Sequence, residues 1–74
     1  MTAAEFRKAL KRLGLTQSEA ARRLYVTFSA VNRWATGKRS IPGPVIAALE
    51  SWERERRVLE ALAARAGEAP RRPR

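Results

Sequence analysis

The sequence predicts a compact all-α domain of four to five helices that ends in an extended C-terminal helix. Three observations carry that prediction. Apolar residues recur at helical spacing through most of the chain, hydroxyl residues stand where helices would begin, and Gly14, Gly37 and the Pro42-Gly43-Pro44 run interrupt the pattern.

Thr2 and Glu5 have the spacing of a capping box, in which a hydroxyl accepts from a backbone N–H one turn on while the carboxylate reaches back. Met1 and Phe6 can staple across it. Helix 1 is expected over about Ala3 to Leu13, with Phe6, Leu10 and Leu13 inward and Arg7, Lys8, Lys11 and Arg12 largely off that face, until Gly14 stops it. Thr16 and Glu19 repeat the box. Helix 2, about Gln17 to Leu24, turns Ala20, Ala21 and Leu24 inward, and the two alanines are small enough to let another helix cross closely, as a helix-turn-helix requires. Thr27 caps a third helix, with Val26 and Val31 at staple spacing around it.

Stepping about 100° per residue along helix 3 brings Phe28, Ser29, Asn32, Arg33 and Thr36 within one arc of about 140°. Ala30, Val31 and Trp34 point the other way, and Val31 and Trp34 anchor the helix to a core. An amide, a guanidinium, hydroxyls and an aromatic ring on one face of a helix, in a basic chain, point to reading of the DNA major groove.

After Trp34, the segment ATGKRSIPGP reads as a helix C-cap, a loop and the start of a fourth helix, with Pro42 or Pro44 in its first turn. No breaker follows until Gly67. This gives more than twenty residues of helix with Val45, Leu49, Trp52, Leu59 and Leu62 among the apolar positions, which periodicity does not resolve into one helix or two. The domain is expected to span residues 1–66, and 67–74, Pro-broken and cationic, to form a disordered tail.

Sixteen Lys and Arg against seven Asp and Glu give a net charge of +9, which implies attraction to polyanions without choosing among them. The absence of cysteine and histidine removes disulfides, the usual zinc sites and the common nucleophile–base pairs. No enzyme, metal or cofactor is therefore expected. With no apolar run long enough to span a membrane and no secretory signal at the start, the expected location is cytoplasmic. Abundant Ala, Arg and Gly fit a GC-rich bacterial or phage gene.

The residues resemble a known family, the phage-repressor and Cro type of helix-turn-helix domain, also called xenobiotic-response-element-like. LTQSEAARRL is similar to the family's "LTQxxLAxxL" helix, VTFSAVNRW to its "VSxxTVSRW" recognition helix, and TGKRSIP to its "xGKRxIP" loop. The similarity covers roughly residues 5 to 50 and implies a lambda-repressor-like fold. It places Gln17 at the start of the helix that crosses the DNA backbone, to contact a phosphate and brace the recognition helix. Thr27, Phe28, Ser29, Asn32 and Arg33 match positions that meet bases or adjacent phosphates, and Lys38 and Arg39 fall in a loop beside the backbone. Arg33 suits guanine and Asn32 adenine, whereas Phe28 either meets a thymine methyl or folds into the core. One residue departs from the pattern. Tyr25 stands where the family has glycine in the turn, a place that favours a left-handed backbone, so the turn and the pitch of helix 3 are expected to differ slightly.

The reading is a sequence-specific DNA-binding transcriptional regulator, a promoter-occluding and autoregulating repressor that acts as a homodimer on an inverted repeat with half-sites about 10 bp or a multiple apart. Trp52, Val58, Leu59 and Leu62 are the dimer candidates, Trp52 being equally suited to the monomer's own core. Phage regulators, regulators of anti-CRISPR operons and antitoxins all use such domains. The alternative is an antitoxin or co-regulator whose C-terminal helix binds a protein partner. No membrane partner is expected.

Overall fold

The computed structural model describes the backbone of residues 1–68 and the side chains of residues 1–65. Within them lie four helices: α1 (Ala3–Leu13), α2 (Gln17–Leu24), α3 (Phe28–Ala35) and α4 (Gly43–Glu68). The bounds of the first two are those expected from the sequence, their starts at the capping boxes and the end of α1 at Gly14.

Both boxes form. Thr2 Oγ1 accepts from Glu5 N at 3.1 Å while Glu5 Oε1 accepts from Thr2 N at 2.7 Å, and Thr16 and Glu19 repeat the exchange at 3.1 and 2.8 Å. These bonds satisfy N–H groups that a helix start leaves unpaired. They also hold both carboxyls below their ordinary range, chiefly through the backbone N–H of Thr2 for Glu5 and of Thr16 for Glu19. Thr27 caps α3 by accepting from Ala30 N at 3.1 Å.

The first three helices end alike. Leu15 N donates to Leu10 O and Gly14 N to Lys11 O after α1, Val26 N to Ala21 O and Tyr25 N to Arg22 O after α2, and Lys38 N to Arg33 O and Gly37 N to Trp34 O after α3. Each is the paired reverse bonding of a Schellman motif, which needs one residue in the left-handed region. Gly14 and Gly37 supply it twice, at φ 70° and 80°, and Tyr25 supplies it the third time, at φ 59°. The turn between α2 and α3 thus keeps the glycine-like backbone despite the tyrosine, and the expected change of turn does not arise.

α1, α2, α3 and the beginning of α4 enclose one core. Phe6, Ala9 and Leu10 from α1, Ala20 and Ala21 from α2, Val31, Trp34 and Ala35 from α3, and Val45 and Leu49 from α4 are buried. Phe6 meets Trp34 edge to face, with ring centres 6.1 Å apart and planes at 86°, a geometry that aligns ring edge with ring face. Leu13 and Leu24, expected inward, are partly buried against this cluster, as is Val26.

α4 begins with Pro42 just outside the helix, its carbonyl accepting from Val45 N and Ile46 N, and Pro44 in the first turn. It is one unbroken helix. It passes the 66/67 boundary expected from Gly67 and continues to Glu68; the remainder of the expected tail, residues 69–74, lies outside the described residues. Arg12 grips Glu53 with Nη2 3.0 Å from Oε2, and Arg56 Nη1 donates to Leu13 O at 3.2 Å, so α1 and α4 are joined at the edge of the body. The Arg12 side chain is 59% exposed, which limits its pair to about 1 kcal/mol or less. Beyond that edge α4 projects, and the long dimension of the molecule is 55 Å against 20 and 17 Å across.

Candidate nucleic-acid interface

The inward face of α3 is fixed by Val31, Trp34 and Ala35, which are at most 5% exposed. Its outward face is consequently set by the core. Phe28, Ser29, Arg33 and Thr36 are exposed and Asn32 is half-buried. Phe28 is 51% exposed and outside the buried cluster, which decides against its folding into the core. Thr27 lies at the exposed start of the helix, and Lys38 and Arg39 are exposed in the loop after it. The backbone N–H groups of Lys38 and Arg39 both donate to Arg33 O, at 2.9 and 3.3 Å. That bonding holds the loop against the end of α3.

Gln17, the first residue of α2, joins this face through one specific contact. Its Oε1 accepts from Asn32 Nδ2 at 3.1 Å in a partly buried setting. The bond uses one of the two amide hydrogens of Asn32 and leaves the other, with the carbonyl oxygen, available for a further hydrogen bond. A bridge from α2 to the middle of α3 is the bracing that the resemblance implies. Thr36 belongs to the helix end: its hydroxyl donates back to Asn32 O at 2.9 Å, which turns its hydrogen inward.

Two arginines act here in ways the sequence reading did not anticipate. Arg7 of α1 extends across the core edge so that its Nη1 donates to Ala35 O, in the last turn of α3. A cation at a helix C-terminus also meets the negative end of the helix dipole. Arg7 therefore holds α3 from behind. Arg23 lies over the Trp52 ring, 4.3 Å from its centre, a cation–π contact that fastens α2 to α4. Only the sequence separation hid these contacts, since a basic residue off the apolar face of α1 reads as solvated.

Trp52 is half-buried and packed against the monomer's own core. Val58, Leu59 and Leu62 are 57, 59 and 54% exposed. The four residues grouped as dimer candidates thus divide, one covering the core and three projecting beyond it.

Two short helices crossing through a tight turn, the second packed on its apolar face and polar outside, define a helix-turn-helix domain of lambda-repressor-like fold with a long C-terminal helix. A family model described as helix-turn-helix matches residues 6–51. The chain belongs to the Cro/C1-type helix-turn-helix family, and so is a DNA-binding regulator of that type. No curated protein and no solved structure matches it. Among the described residues no helix is long and apolar enough to cross a membrane.

Proposed function

We propose that the protein is a promoter-occluding repressor that inserts α3 into the major groove of an inverted-repeat operator. The observation that carries this is the exposed polar face of a helix locked from behind by the core and by Arg7 and braced on that face by Gln17. Arg33 presents a fork of donors suited to guanine, Asn32 an amide suited to adenine, and Phe28 an apolar edge suited to a thymine methyl. Ser29 and Thr27 are adaptable hydroxyl contacts to base or phosphate. Gln17, Lys38 and Arg39 bind phosphates and set the register of the helix without choosing sequence.

Because a single helix reads only a few base pairs, the protein acts as a symmetric pair whose half-sites lie about 10 bp or a multiple apart. Occupancy of a promoter, including its own, blocks transcription. The location is cytoplasmic, on the nucleoid when bound. The family resemblance favours a bacterial or phage operon, anti-CRISPR operons among them.

Fluorescence anisotropy with an operator and its single-base variants tests the readout. Replacing Arg33 or Asn32 with alanine should remove about 1 to 3 kcal/mol of discrimination at one base pair per half-site. Equal loss of binding to operator and scrambled DNA would contradict the assignment.

A further inference from the structure

Past Glu53 and Arg56, which tie α4 to α1, the outer half of α4 continues as a helix with Val58, Leu59 and Leu62 each more than half exposed. Counted in sevens, Glu55 and Leu62 take one seam position (a), Val58 and Arg65 the other (d), and Leu59 lies beside them at e. All five side chains are exposed. The ion pairs among the described residues, Arg12–Glu53 and Arg56–Glu60, involve neither Glu55 nor Arg65.

We propose that this segment pairs antiparallel with the same segment of a second copy, about a two-fold axis at Glu60. The inference rests on the reading that the protein works as a symmetric pair. In an antiparallel pair each a position faces a d position of the other helix. Val58 and Leu62 lie two residues either side of Glu60, and Glu55 and Arg65 five residues either side. The seam therefore stacks as Glu55 on Arg65, Val58 on Leu62, and the same two layers reversed. Leu59 of the two copies meets at one margin, while Ala61, small, lies at the other. Glu60 falls on the opposite side of the helix, where Arg56 holds it at 3.0 Å.

Charge fixes the direction. A parallel pair would set Glu55 against Glu55 and Arg65 against Arg65 within the seam, whereas the antiparallel pair makes both layers attractive. The two-fold arrangement is isologous and closes at two copies. It also keeps the globular bodies apart: Leu49, in the core, lies eleven residues before Glu60, so the two bodies stand about 33 Å apart along the paired helices. One turn of DNA separates adjacent major grooves by about 34 Å.

Association is measured on the full chain without DNA, so that failure of the interface is separate from failure of DNA binding. Sedimentation velocity at about 100 µM should show a dimer, because an interface this small supports association in the micromolar range. Glu55→Arg alone and Arg65→Glu alone should each weaken it roughly tenfold or more, and the double exchange should restore it. The chain has no cysteine, so mixing Val58→Cys protein with Leu62→Cys protein under oxidation should give the mixed disulfide in preference to either like pair. A monomer at that concentration, preferential linking of like positions, or no rescue by the double exchange would overturn the proposal. So would displacement of the second copy by a stoichiometric partner of another sequence.

Discussion

Replacing Tyr25 with glycine should stabilise the protein. Tyr25 holds φ 59° and ψ 42°, a conformation that costs a residue with a β-carbon about 1 to 2 kcal/mol. Its side chain is 95% exposed, so truncation removes almost no packing. The two reverse hydrogen bonds that close α2 come from the backbone N–H groups of Tyr25 and Val26, and glycine keeps both. Against the relieved strain stands the extra freedom of glycine in the unfolded chain, about 0.4 to 1 kcal/mol. The net gain is about 0.5 to 1 kcal/mol, which for a domain of this size raises Tm by roughly 2 to 8 °C. Thermal and urea unfolding followed by circular dichroism measure it. Tyr25→Ala is the control, since alanine retains the strain and should gain little. A Tm for Tyr25→Gly at or below that of the parent would refute the reasoning and give the tyrosine ring a stabilising contact of its own.

Other perturbations separate positioning from contact. Replacing Lys38 or Arg39 with alanine should weaken operator and scrambled DNA alike and lower the salt slope by about one unit per lost phosphate contact, read from titrations at several salt concentrations. Arg7→Met removes the bond to Ala35 O while keeping a chain of similar length. It should cost roughly 1 kcal/mol of stability and reduce discrimination between operators, with the salt slope unchanged; a reduced slope would instead make Arg7 a phosphate contact. The capping carboxyls Glu5 and Glu19 titrate below the usual 4.5 when folded. The stability they contribute is therefore fully present above that value and is lost as pH falls through their lowered folded values. Urea midpoints between pH 7 and pH 3 should fall less steeply for a Glu5→Gln, Glu19→Gln double variant, which keeps both capping hydroxyls but has no carboxyl to titrate against the backbone N–H groups of Thr2 and Thr16.

The helix bounds were legible because their causes are local. A capping box lies within four residues and a Schellman turn within six, so Thr2, Thr16 and Gly14 mark α1 and α2 directly. The exposed face of α3 followed from helical spacing together with Val31 and Trp34. Long-range contacts were not legible: Arg7 meets Ala35, and Arg23 meets Trp52, across stretches that carry no periodic signal. The continuity of α4 escaped for another reason. Its outer half has no core to define an apolar face, and Gly67, which reads as a stop, lies inside the helix. Tyr25 is the reverse case, a residue whose type argued against a backbone that the surrounding hydrogen bonds nonetheless impose.

That α3 reads sequence through its outward face is tested most directly by selecting bound sites from a random DNA pool with the parent protein and with Arg33→Ala. The parent should enrich an inverted repeat with half-sites about 10 bp or a multiple apart, and the variant should lose preference at one symmetric pair of positions while retaining the rest. Enrichment of no motif by the parent, or of the same motif at undiminished strength by the variant, would contradict it.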